Sequence, residues 1–281
     1  METDTELPRY SASRVNTYLD CPRKWAFRYV EHVPPESRSA AMALGRAVHS
    51  ALEHFHLELL DGQKPEPKDV IQIFTADFEA ELDDGVDFKS NESANLLRRQ
   101  GADLVFEYVK AYADRSVAAV EVPFTVPLAD PETGEVLPYL LHGWFDVLWD
   151  GDQIGEIKTS ARRFDEGTLA RKLQLHAYAY AYRQLHGRDP TIKVVQLLKT
   201  RRPEIAEHDV HRAVGDDAWF VHLVAAVARG IEARSFPPKP SWMCGDCEYA
   251  RACAHWRGDR PRCSEPEPIG SVLERVHLPV F

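Results

Sequence analysis

The chain has 281 residues, 44% of them hydrophobic and 28% charged, with a formal net charge of −10. That length can bury one large core, and the composition excludes collagen-like, coiled-coil and disordered chains. No apolar run reaches the roughly 18 residues of a membrane span, and the acidic opening METDTELPRY lacks the pattern of a secretory leader, so a cytoplasmic protein with no membrane partner is expected. The acidic balance argues against non-specific nucleic-acid binding. It is broken locally by Arg23/Lys24/Arg28, Arg98/Arg99, Arg162/Arg163, Arg171/Lys172 and Lys199/Arg201/Arg202, and such basic strips can hold a phosphate backbone.

In chain order, residues 11–31 read as two short helices. Ser11 or Ser13 caps the first, and Pro22 suits the opening turn of the second. Residues 40–60 form a strong helical segment that Asp61-Gly62 ends. Residues 60–117 read as a charged helical insertion. Strand signals follow at 119–128, where Pro residues suit an edge, and at 139–149 and 153–159, which flank the hairpin signal Asp150-Gly151-Asp152. A helix at 169–185, strands at 192–199 and 205–210, and a helix at 216–233 complete the pattern, and the tail from Phe236 reads as irregular. The order gives an α/β fold, in a single domain over residues 1–281.

The hairpin carries Asp146 on one strand and Glu156-x-Lys158 on the other. Residues two apart on a strand share a face. With a three-residue loop, Trp149 pairs with Gln153 and Asp146 lies opposite Glu156. A two-residue loop shifts the pairing and separates them. Two close carboxylates repel unless a cation lies between them, and oxygen ligands suit Mg²⁺ or Mn²⁺. Such a metal acidifies water and stabilises charge at phosphorus, and an adjacent ammonium can do the same. Upstream, Gly45-x-x-x-His49 and Glu53 lie on one helix. Gly45 inside a helix costs about 1 kcal/mol relative to Ala, for which close packing or a ligand is a motive. His49 could supply a nitrogen ligand, whereas His54 and His56 read as ordinary helix histidines. Downstream, Gln174-x-x-x-Tyr178 lies on one helix face.

Taken together, SASRVNTYLDCPRKWAFRYV, LGRAVHSALE, HGWFDVLW, IGEIKTS and QLHAYAY resemble the PD-(D/E)xK nuclease superfamily, in particular its RecB-like, AddB-type and CRISPR-associated branch. The resemblance implies a restriction-endonuclease-like mixed central sheet flanked by helices. It implies that His49, Asp146, Glu156 and the Ile157 carbonyl hold the divalent metal, that Lys158 is catalytic, and that Gln174 and Tyr178 contact the DNA strand. Glu53 and Glu121 are outer candidates. The implied activity is a DNA exonuclease acting on single strands or ends, in repair, recombination or CRISPR-type processing, beside a helicase or other DNA-processing proteins. A non-catalytic DNA-end-binding subunit is the alternative.

The spacing Cys244-x2-Cys247-x5-Cys253 suits a tetrahedral metal or an iron–sulfur cluster. A fourth thiolate is needed, and either Cys263 or the distant Cys21 can supply it. The resemblance favours Cys21, in Cys21-Pro-Arg-Lys24, and a [4Fe–4S] cluster that staples the segment 236–263 to the N-terminal region.

Overall fold

The computed structural model describes residues 7–256, and Cys263 lies outside them. The short strand β1 (Arg9–Tyr10) leads into α1 (Ala12–Asp20). Ser11 is the cap of α1: its hydroxyl accepts the Arg14 N–H. Pro22 opens α2 (Pro22–Tyr29), where a missing N–H costs nothing. Three longer helices follow, α3 (Ala40–Leu60), α4 (Pro67–Asp83) and α5 (Ala94–Tyr112).

The strands β2 (Val117–Ala129), β3 (Val136–Trp149) and β4 (Gln153–Ser160) form an antiparallel meander. The three-residue loop sets the expected register, with Trp149 opposite Gln153. The helix expected at 169–185 is broken into α6 (Glu166–Ala170) and α7 (Leu173–His186). Lys172 is the extended cap of α7, and its ammonium lies 4.3 Å from the centre of the Phe164 ring. Then come β5 (Thr191–Leu198), β6 (Glu204–Val210) and α8 (Gly215–Glu232). The tail is less irregular than its composition suggests, with a 3₁₀ turn at Trp242–Asp246 and a helix α9 (Ala250–His255).

The sheet is mixed. β4 and β5 are parallel, β5 and β6 antiparallel, and β2 lies at an edge, paired with β3 alone. Prolines 123 and 127 are tolerated there because an edge strand owes fewer ladder bonds. A first core lies between the sheet and α1, α7 and α8, with Phe145, Ile154, Tyr178 and Phe220 in it. A second lies on the other face, where Leu44, Phe55, Phe74 and Tyr108 of α3–α5 meet Val147, Trp149, Ile157 and Val195. Helices α4 and α5 therefore complete the second core together with α3. A third cluster packs Trp25 and Ala26 of α2 on Phe236 from the tail, the two rings stacked at 5.4 Å.

Candidate active site

β3 has two hydrogen-bonding edges. One is filled along its length by β2. The other is shared by β1, at Leu140 and Leu141, and by β4, at Val147 to Trp149. Residues 142–146 have no ladder partner on that edge, so the sheet is open between β1 and β4. Asp146 stands where β4 departs. Phe145 belongs to the first core and Val147 to the second, although alternate residues of a regular strand share a face. The strand therefore reverses its faces at Asp146. Across from it on β2, between the registered pairs Val120–Val147 and Val122–Phe145, Glu121 has a left-handed backbone (φ 46°). This is an unfavourable conformation for a residue with a Cβ, and such strain clusters at functional sites.

The Asp146 carboxylate bridges the opening. Its Oδ2 accepts the Ile157 N–H at 3.2 Å, replacing a ladder bond, and lies 3.1 Å from His49 Nε2. Its Oδ1 accepts the Tyr178 hydroxyl at 3.1 Å. Glu156, 1% exposed, faces α7: Gln174 Nε2 donates to it at 3.1 Å, and Lys158 Nζ lies 2.5 Å from its other oxygen. Gln174 also donates to the Tyr178 hydroxyl at 2.9 Å. α7 presents Gln174 and Tyr178 one turn apart on one face, because they are four residues apart in the helix. Gly45 lets α3 approach β4: a Cβ there would sit 3.3 Å from Thr159 Oγ1. The close-packing motive for this glycine is thus met.

Burial, reinforced by Asp146, pushes the Glu156 carboxyl up to about 7. Asp146 is held below its usual value, because its bond to His49 and the charges of His49 and Lys158 outweigh the cost of burying it. His49 is raised, chiefly by that bond to Asp146.

His49, Asp146, Glu156 and Lys158 are brought together as the motifs require. Gln174 stands over Glu156. Tyr178 is 2% exposed, with its hydroxyl engaged by Asp146 and Gln174. The two outer candidates gain weight: ligand atoms of His49, Glu53 and Glu121 all lie within 4.8 Å of one another. His49 Nδ1 is 4.0 Å from Glu121 while Nε2 faces Asp146, so the imidazole joins two acidic groups. The strain at Glu121 has no signal in the sequence. Basic residues ring the same end of the sheet. β4 and β5 are parallel, so the loops carrying Arg162/Arg163 and Lys199/Arg201/Arg202 leave beside Lys158. Lys172 is held below its usual value by burial and then by Lys158.

A second group of candidate ligands lies where the N-terminal helices meet the tail. Cys21, Cys244, Cys247 and Cys253 line one cavity of about 450 Å³ with Lys24, Phe27 and Tyr249. The Lys239 N–H lies 3.4 Å from Cys21 Sγ, and the Ser241 N–H 3.4 Å from Cys244 Sγ. Burial, then Cys21, Cys247 and Cys244, push the Cys253 thiol up. Contacts around the cavity join the two ends: Lys24 pairs with Glu248 at 2.8 Å, and Arg251 with Glu36 at 2.9 Å.

The model of the PD-(D/E)XK nuclease superfamily matches residues 9–254, and the chain belongs to that superfamily, whose members use divalent metals. No curated protein matches the chain. Among solved structures, a protein described as "Putative exonuclease" from Eubacterium rectale is 15% identical. It covers 95% of this chain and 93% of its own, with a TM-score of 0.56, a likeness of fold. The structure of SSO0001 is 18% identical over 86% of this chain and 94% of its own, with a TM-score of 0.39. Among the described residues no helix is long and apolar enough to cross a membrane.

Proposed function

We propose that the chain is a Mg²⁺- or Mn²⁺-dependent DNA exonuclease acting on single strands or DNA ends. The observation that carries this reading is the meeting of Asp146, Glu156, Lys158 and His49 at the opening on β3's edge where β4 departs. Two carboxylates and an imidazole fit a divalent cation. His49, Asp146, Glu156 and the Ile157 carbonyl would hold it. When bound, it supplies a Lewis acid for the attacking water and the scissile phosphate. Lys158 places its ammonium beside Glu156, where it can orient the water and offset charge developing at phosphorus. Tyr178 and Gln174 fix the carboxylates, and Gln174 is the nearer of the two to an incoming strand. Arg162, Arg163, Lys172, Lys199, Arg201 and Arg202 provide the phosphate-binding rim, which explains how an acidic protein takes an anionic substrate.

We further propose a [4Fe–4S] cluster on Cys21, Cys244, Cys247 and Cys253. The donor set fits: four thiolates around one cavity repel unless a cationic centre holds them, and backbone N–H groups near two sulfurs suit such a cluster. Cys21 lines the cavity, which favours it over Cys263 as the fourth ligand. Iron content and absorbance near ~400 nm, both lost in Cys21→Ser, test this apart from activity. Zinc without iron, retained in Cys21→Ser, would place the metal on Cys244, Cys247, Cys253 and Cys263 instead. The cellular setting we propose is repair, recombination or CRISPR-type processing, with a helicase partner supplying unwinding.

The test of activity offers Mn²⁺-loaded, anaerobically purified protein end-labelled linear and covalently circular single-stranded DNA, with Lys158→Ala beside it. Shortening of the linear strand alone, absent in the variant, is expected. Cleavage of the circle would make the enzyme an endonuclease. No cleavage by cluster-loaded protein would make it an end-binding subunit.

A further inference from the structure

The solvent face of β3 beside the active site carries a feature that metal and carboxylate chemistry do not use. Tyr139, Leu141 and Phe145 point into the first core, so His142 and Trp144 point to the opposite face. Trp144 is 52% exposed, and its ring meets that of His142 edge-on at 6.0 Å. Tryptophan is a costly side chain to leave in water in mid-sheet. Its neighbours on β2, Pro123 opposite Trp144 and Thr125 opposite His142, are exposed and small, so they do not shield it. Both aromatic residues belong to the stretch 142–146 that lacks a ladder partner toward β1 and β4. Trp144 is two residues, about 7 Å, from Asp146 along the strand.

Toward β1 the face meets two arginines. Arg9 on β1 registers with Leu140 of the same sheet, and Arg14 reaches the Arg9 carbonyl. After burial, these two arginines are the causes that hold His142 below its usual value, so their field reaches the platform. An aromatic face beside fixed positive charge, continuous with a nuclease centre, is the arrangement that binds single-stranded nucleic acid: bases stack and arginines attract the backbone. A duplex buries its base faces and could not use it.

We propose that Trp144, supported by His142, is a base-stacking platform that leads a single nucleic-acid strand along the open edge of β3 to Asp146, in the field of Arg9 and Arg14. The proposal rests on the nuclease reading for its direction, and its test measures binding alone. Wild type, Trp144→Ala, Trp144→Phe and, as a control, Trp219→Ala are titrated without added Mn²⁺ or Mg²⁺. The ligands are an oligothymidylate and an abasic deoxyribose-phosphate oligomer of equal length. Trp219 is equally exposed, at 51%, but lies on α8. Trp144→Ala should bind the thymidylate about tenfold more weakly and the abasic strand within about twofold of wild type. Trp144→Phe should retain most of the affinity, and Trp219→Ala all of it. In a second readout, quenching of tryptophan fluorescence by the thymidylate should fall sharply in Trp144→Phe. Unchanged thymidylate binding by Trp144→Ala, an equal loss on the abasic strand, or undiminished quenching in Trp144→Phe would each overturn the platform. So would a wild type that binds neither oligomer, which would leave this face to a protein partner. None of these results bears on whether Lys158→Ala abolishes cleavage.

Discussion

The two faces of the sheet treat the same carboxylate differently. On the α7 side, Asp146 and Glu156 are tied to Tyr178 and Gln174, and Tyr178 is almost wholly buried. On the α3 side, Asp146 meets His49, 35% exposed and flanked by the partly exposed Glu121 and Glu53. One face is a closed scaffold and the other is open to a ligand. A metal site needs both, because ligands must be held before the ion arrives and the ion must still have a way in. The reversal of β3 at Asp146 lets one side chain serve both faces.

The most severe way to break this comparison is to remove the shared group. Asp146→Asn keeps the shape but loses the charge, and should reduce cleavage by about a thousandfold or more. Circular dichroism should be unchanged, because the amide oxygen can still accept the Ile157 N–H.

The α3 face also has a dry interior, and its pH dependence sharpens the contrast. His56 is buried, pairs with the Tyr108 hydroxyl at 3.1 Å, and is pushed down to about 4 by burial. The unfolded chain, with a histidine of ordinary value, binds this proton more readily than the native state. Stability is therefore fully present above pH ~6.5 and falls as pH drops toward 4, by up to roughly 3 kcal/mol. Denaturant titrations at pH 7 and pH 5 check this. His56→Gln, which removes the titration, should flatten the difference.

A smaller effect probes the packing that carries His49. A Cβ on Gly101 of α5 would lie 2.0 Å from the Phe74 ring of α4. Gly101→Ala should destabilise by about 1–3 kcal/mol through overpacking, seen as a lower midpoint in thermal unfolding. The smallest effect is expected at the scaffold. Tyr178→Phe removes one hydroxyl from Asp146, and kcat should fall about tenfold with KM nearly unchanged. A rise in KM alone would instead mean that the hydroxyl touches substrate.

Much of the site is legible along the chain because its parts are local. The Asp150-Gly151-Asp152 loop fixes the hairpin register, register brings Asp146 to Glu156, and strand alternation puts Lys158 beside Glu156. Helical spacing pairs Gln174 with Tyr178, and the order of the motifs carries the resemblance to the nuclease superfamily. The tertiary structure alone decides what these residues face. Tyr178 is buried with its hydroxyl on Asp146 because α7 packs on the first core. Glu121 approaches His49 from β2, where its own backbone is left-handed opposite Asp146. Trp144 is half exposed because its cross-strand neighbours on β2, Pro123 and Thr125, do not cover it. Each of these outcomes depends on contacts between segments far apart in the chain, whose relative placement is set by the packing of two cores against one sheet and not by any local preference of the residues involved.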